Sequence, residues 1–157
     1  MKKLDVEDWA VKAVKSGEHD HGYFFSGNLY RGARKVAEFT ESGWGGPMDI
    51  RYLDDDAESD FMSLAHILQG DEYSEADAIL IMDMVNEYEF KKKVKRDRKK
   101  KTYFTVYIDD EDTTYALDTP YSERAVKMIL NEKGDIVIAN EEFDIYPDGV
   151  EKVYRDE

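Results

Sequence analysis

The sequence predicts an α+β fold in which an antiparallel β-sheet, made of an N-terminal three-strand meander and C-terminal hairpins, is covered by helices. Three observations predict it. Short aromatic and β-branched runs bounded by glycine occur over residues 22–53 and again from residue 102. Between them lie two stretches whose apolar residues recur with the helical period. Strands and helices come in runs rather than in regular alternation, which argues against a doubly wound parallel sheet. The 157 residues suit a single domain over 1–157 with a sizeable core. A hydrophobic content of 41%, with 13% aromatic residues, is too rich for a disordered acidic tail.

The chain opens with a predicted helix from about Asp5 to Ser16. Val6, Trp9, Ala10, Ala13 and Val14 repeat at helical spacing, Asp5 can cap and Gly17 can supply the exit. Trp9 is expected as a core anchor. Three strands follow, over 23–31, 35–40 and 48–53, with a glycine-dense loop at 41–47. That loop is followed by Pro47 and a strand rather than a helix, so it is no phosphate cradle. Gly43, Gly45 and Gly46 are expected at positive φ in a bulged turn.

A helix is predicted from about Ala57 to Gln69, with Phe61, Leu64, Ala65 and Leu68 on one face and Gly70 as terminator. A second opens at Ser74, capped with Asp77, and buries Ala78, Ile81, Met82, Val85 and Tyr88. Beyond Phe90 only Val94 is aliphatic before Tyr103, so this helix is expected to project into solvent. A strand over 102–108, an acidic turn over 109–112 and a strand over 113–117 form a hairpin. Ser122 caps a helix running to about Lys133 and ended by Gly134, and strands follow at 136–139 and around 143–146. There is no internal repeat.

Charge is segregated. Residues 91–101 hold nine of the 22 basic groups and one acid; their net +8 leaves −22 on the remainder of a chain whose formal charge is −14. A simple nucleic-acid binder, basic over its whole face, is thereby excluded. The pattern points to a partner protein with a basic groove, or one that itself handles nucleic acid, although charge runs are also commonly just solvated faces. The absence of cysteine excludes disulfides, thiolate metal sites and thiol catalysis. No apolar run approaches a membrane span and the first residues lack a signal-peptide pattern, so a protein of the cytoplasm is expected.

Constellations that could carry chemistry are weak. His19, Asp20 and His21 could join Asp54, Asp55 and Asp56 in a metal site, giving a metal-dependent nuclease or small hydrolase as one alternative. His66 reads as a packing histidine, and the Met82 and Met84 pair as core filler. Asp109, Asp110, Glu111 and Asp112 occupy a hairpin tip, where nothing fixes carboxylates for magnesium. There is no nucleophile elbow, Walker loop or dinucleotide fingerprint, so neither an enzyme nor a cofactor is indicated.

The segment from Lys35 through Val36, Ala37, Glu38, Phe39, Gly43, Trp44, Gly45 and Gly46 to Pro47, followed later by the Lys-rich run and the Tyr103–Val106 strand, resembles small uncharacterised acidic proteins of phages and plasmids. Some small acidic mobile-element proteins are anti-CRISPR or other anti-defence inhibitors. The resemblance therefore implies a stoichiometric inhibitor of a CRISPR effector nuclease or similar defence enzyme, acting in the cytoplasm of a bacterial host. Here Ser42 precedes the glycine where relatives often carry asparagine. The residues expected to meet the partner are Asp109, Asp110, Glu111, Asp112, Asp54, Asp55 and Asp56 for a basic groove, with Lys92, Lys95, Arg96 and Lys99 for guide RNA or an acidic patch through residues 91–101. The remaining alternative is an acidic interaction module of a mobile element with no defence role.

Overall fold

Where the spacing predicts a helix, the chain opens with a strand. A computed structural model describes residues 1–156, and the chain divides into two compact units, Asp5–Asn86 and Glu87–Glu157 together with Met1–Leu4. The architecture is α+β, with its antiparallel strands in two sheets rather than one. The four-residue β4 is an edge, and the chain leaves it for two helices before the next strand begins.

The first unit contains β1 (Trp9–His19), β2 (Gly22–Arg31), β3 (Arg34–Glu41) and β4 (Asp49–Tyr52) in that spatial order, all antiparallel. The expected three-strand meander is β2 to β4, and β1 extends it. The false helical signal has a physical source. Pairing of β1 with β2 slips between Lys12 and Lys15, and Ala13 sits at φ 53°. This bulge shifts the inward phase by one residue, so Trp9, Val11 and Val14 are the buried positions. Interleaved with Ala10 and Ala13, that offset imitates helical periodicity. Gly17 is not a helix exit but lies opposite Phe24, whose ring occupies the space a side chain would need: a Cβ there would fall 2.6 Å from Phe24 Cζ.

Helix α1 (Asp55–Gln69) begins earlier than predicted because Asp54 caps it, accepting from the N–H groups of Asp56 at 2.9 Å and Ala57 at 3.1 Å. Ala57, Phe61 and Ala65 are buried, whereas Leu68 of the expected face is exposed. The Phe61 ring lies 4.9 Å from that of Trp9, which is itself buried. Gly70 terminates α1 as predicted, its N–H bonding to His66 O. Helix α2 (Ala76–Asp97) starts two residues beyond Ser74, and the Asp77 carboxylate accepts the Tyr52 hydroxyl at 2.7 Å. Its buried positions in this unit are Ala76, Leu80, Ile81, Met84 and Val85, a stripe rotated from the predicted one, and Met82 is exposed.

In the second unit β5 (Thr102–Ile108) runs between β6 (Glu111–Leu117) and β7 (Asp135–Ile138). Ile108 pairs with Glu111, so the acidic turn is two residues long and Glu111 and Asp112 already belong to β6. β6 is an edge strand with six of its seven residues exposed. Ser122 caps α3 (Glu123–Ile129) through Ala125 N–H, and this helix ends before the predicted Lys133. The expected strand at 143–146 is instead the exit of a one-turn helix, α4 (Ala139–Phe143). Asn140 Nδ2 donates to Ile145 O at 2.7 Å, Ile145 N–H returns to Asn140 O, and Asp144 turns left-handed at φ 56°. The core joins Phe104, Val106, Tyr121, Val126, Ile129 and Ile138. Leu4 N–H donates to the buried Glu87 carboxylate at 2.6 Å. Among the described residues no helix is long and apolar enough to cross a membrane.

Candidate functional site

The basic end of α2 does not project into solvent. Phe90 and Val94, one helical turn apart, share a face and suffice to dock it: Val94 is buried with Tyr103 and Ala139, and Phe90, Phe143 and Ile145 pack on that cluster. The remaining faces of the same turns display the cations. Lys91 lies 3.4 Å from Glu87 and over the Phe143 ring, and Lys93 lies over the Tyr103 ring. Arg96 makes a two-pronged contact with Asp97, at 3.0 and 3.1 Å, and Lys101 approaches Asp118 at 3.7 Å. The Asp97 carboxylate also accepts the Tyr103 hydroxyl. The Arg96 bonds first and this hydroxyl second hold its pKa well below the usual carboxylate range.

What remains is a cationic face with an aromatic edge. Tyr88, Lys91, Lys92 and Lys95 recur at i, i+3, i+4 and i+7 along α2, and Arg98 follows beyond its end. Together with Asp144, Ile145 and Tyr146 they line an open cleft of about 540 Å³, within the size range of small-ligand sites. Lys92 sits 5.7 Å from the Tyr88 ring centre, and among the described residues neither Lys92 nor Lys95 has a carboxylate partner. Arg98 donates to Lys95 O at 2.7 Å and stands 3.9 Å from Asp148. Lys99 lies in the exposed turn after α2, away from the cleft lining.

The predicted acidic residues fall in two places. Asp109 and Asp110 form the β5–β6 tip, with Asp109 at φ 54°, and Glu111 and Asp112 open β6; all four are exposed. Asp54 is committed to capping α1 and to an ion pair with Arg34 at 2.9 Å, and the Ala57 N–H foremost lowers its pKa. Asp55 and Asp56 remain exposed in the first turn. Formal charge divides unevenly. Residues 5–86 carry eighteen acids and six bases, net −12, whereas the other unit carries eighteen and sixteen.

The His19 turn is aromatic-stacked. Its Nε2 hydrogen-bonds Ser42 O at 2.8 Å and its Nδ1 accepts His21 N–H at 3.1 Å, which assigns the neutral Nε2–H tautomer. His19 and His21 pack on Trp44, with ring centres 4.7 and 4.1 Å away. Among the described residues no group of three metal-ligating side chains converges. In the loop beside it Gly43 and Gly45 have positive φ, as predicted, but Gly46 does not. His66 Nδ1 contacts Gly70 O at 3.2 Å.

Tyr88, Asp144, Ile145 and Tyr146 are cleft walls outside the residues expected from the sequence, whereas Lys91 and Arg98 lie within the expected 91–101 run without being singled out there. The heptad spacing from Tyr88 through Lys95 was the available signal; the wall from α4's exit was not legible because that segment reads as strand. No model of a known protein family, no curated protein and no solved structure matches this chain.

Proposed function

We propose that this chain is a non-enzymatic, stoichiometric inhibitor whose acidic unit docks on the basic nucleic-acid groove of a defence enzyme, a CRISPR effector nuclease being the favoured target, in the cytoplasm of a bacterial host cell. The observation that carries the reading is the concentration of charge: residues 5–86 account for −12 of the formal −14. Carboxylates at that density stand in for backbone phosphates and accelerate encounter with a basic surface. Asp55 and Asp56, exposed at the start of α1, are the foremost contacts from this unit, and Asp109–Asp112 supply a second acidic tip. The resemblance of the Lys35–Pro47 segment to mobile-element proteins supports a defence enzyme as the target. The engagement of both His19 nitrogens, Nδ1 with His21 N–H and Nε2 with Ser42 O of the neighbouring loop, favours interaction over hydrolysis.

The test is effector-catalysed cleavage of target DNA titrated with this protein, with binding measured in parallel by light interferometry. Inhibition saturating at a fixed stoichiometry, and weakening as salt rises from about 50 to about 200 mM because exposed charges become screened, is the expected result. Affinity that is flat across that range, or unchanged by Asp55→Lys with Asp56→Lys, overturns charge-led docking.

A further inference from the structure

We propose that the cleft between the end of α2 and the exit of α4 binds a short segment of single-stranded nucleic acid, with phosphates on the lysines and a base on the tyrosine wall. This stands on the geometry of the second unit alone and does not depend on acidic docking.

Spacing is the first argument. Tyr88, Lys91, Lys92 and Lys95 share one face over two helical turns, about 10 Å of axis, and Arg98 extends the row. Cations recurring about once per 5 Å turn match the scale on which an extended strand presents successive phosphates. Charge availability is the second. In a chain with 36 acids and 22 bases, lysines are expected to find carboxylates, yet Lys92 and Lys95 have none among the described residues. The carboxylates nearest Lys91 and Arg98 stand at 3.4 and 3.9 Å, with Lys91 also over the Phe143 ring and Arg98 donating to Lys95 O at 2.7 Å. Cations without a close carboxylate are available to an anion at small desolvation cost.

The aromatic wall is the third argument. Tyr88 and Tyr146 are half-buried and line the same cleft as the lysines. The Tyr146 ring is fixed against Tyr121 at 5.1 Å. Rigid aromatic faces beside a row of cations form the platform on which bases stack without sequence preference. An acidic peptide would satisfy the lysines but would leave these faces without a planar ligand, so nucleic acid is favoured. The net charge of the whole chain opposes any polyanion, which makes the interaction local, modest in affinity and steeply dependent on salt.

The experiment uses the full-length protein and a fluorescein-labelled oligouridylate of about 12 nucleotides, a length typical of single-strand sites, followed by anisotropy at about 50 mM salt. Base-free polyphosphate and a poly-glutamate peptide serve as competitors. The expected result is saturable binding that the oligouridylate competes for better than either base-free polyanion. Lys92→Glu with Lys95→Glu, both exposed positions, should weaken it about tenfold or more. Tyr88→Ala should weaken it roughly fivefold or more, while Lys133→Glu, exposed and outside the cleft lining, leaves it nearly unchanged. Circular dichroism melts confirm that each variant is folded, and Tyr88→Leu substitutes for Tyr88→Ala if that variant is not. Absence of binding, equal or better competition by polyphosphate or poly-glutamate, or indifference to both the lysine and the tyrosine changes overturns the proposal.

Discussion

Asp97, the one acid within the basic run, accepts the hydroxyl of Tyr103 at 2.6 Å, and so ties the last turn of α2 to the second residue of β5. Its backbone carbonyl also takes the N–H groups of Lys100 and Lys101, each at 2.9 Å. A cationic segment that would otherwise repel itself is thus pinned at its centre by its one internal anion, with Glu87, Asp118 and Asp148 beside its flanks.

That anion gives the fold an acid dependence. Arg96 first and Tyr103 second depress the folded pKa of Asp97 below the unfolded value near 3.9. A depressed carboxylate contributes stability that is fully present above the unfolded value and lost as pH falls through the folded one. Asp97→Asn should therefore melt below the parent at pH 7, and the gap should close as melts are taken down through and below about pH 4. Tyr103 is pushed up to about 12 by burial first and by the Asp97 bond second, so its contribution is fully present below the ordinary phenol value near 10 and is lost as pH rises from there through the folded value. A constant gap at every acidic pH would show that the Asp97 charge is immaterial to the melt.

Gly43 and Gly46 should respond differently to the same substitution. Gly43 has φ 76°, and a Cβ there would fall 2.8 Å from Tyr23 O; Gly46 has open space and ordinary backbone. Gly43→Val should cost on the order of 1–3 kcal/mol, and Gly46→Val about 0.5 kcal/mol or less. Chemical denaturation of the two variants measures the contrast, and equal midpoints would contradict it.

Neighbouring aspartates should separate in the same way. Asp54→Ala removes the α1 cap and the Arg34 ion pair, and should lower the melting temperature by a few degrees. Asp55→Ala and Asp56→Ala, which remove exposed side chains and leave the backbone N–H of Asp56 on the Asp54 cap, should leave it nearly unmoved while weakening partner binding. Reversal of that order in thermal melts would move the cap elsewhere.

Phe61 is fully buried and packs on Trp9, so it reports on whether β1 is seated. Phe61→Ala should cost about 3–5 kcal/mol, with loss of the near-ultraviolet circular dichroism contributed by Trp9. A loss under about 1 kcal/mol would mean that this packing is not part of the stable core.

The sequence made some elements legible and disguised others for identifiable reasons. Hairpins bounded by glycine and acidic turns, the Gly70 stop and the Ser122 cap were readable because each is a local signal. β1 is disguised because its bulge at Ala13 breaks the strand alternation, so that buried Trp9 and Val14 fall in step with Ala10 and Ala13 at helical spacing. The segment from Asn140 to Tyr146 was misread because reciprocal bonds between Asn140 and Ile145 decide its shape, and no propensity anticipates them. The cations of the candidate cleft were visible as composition. Their opposite wall was not, since it depends on where that misread turn ends.

The exposed strand β6 bears on how the protein is handled. Its outer row of backbone groups is open to a strand from another molecule, the route by which sheets grow into fibres. In a parallel, in-register stack Glu111 would face Glu111 and Asp112 would face Asp112, so ionised carboxylates keep copies apart at neutral pH. Glutamine and asparagine at these two positions would remove that repulsion while Thr113, Thr114 and Tyr115, good strand formers, remain. Such a neutral edge would then turn a dispersed sample into aggregate, and a buffer of modest ionic strength, which leaves the carboxylates of the parent unscreened, preserves it.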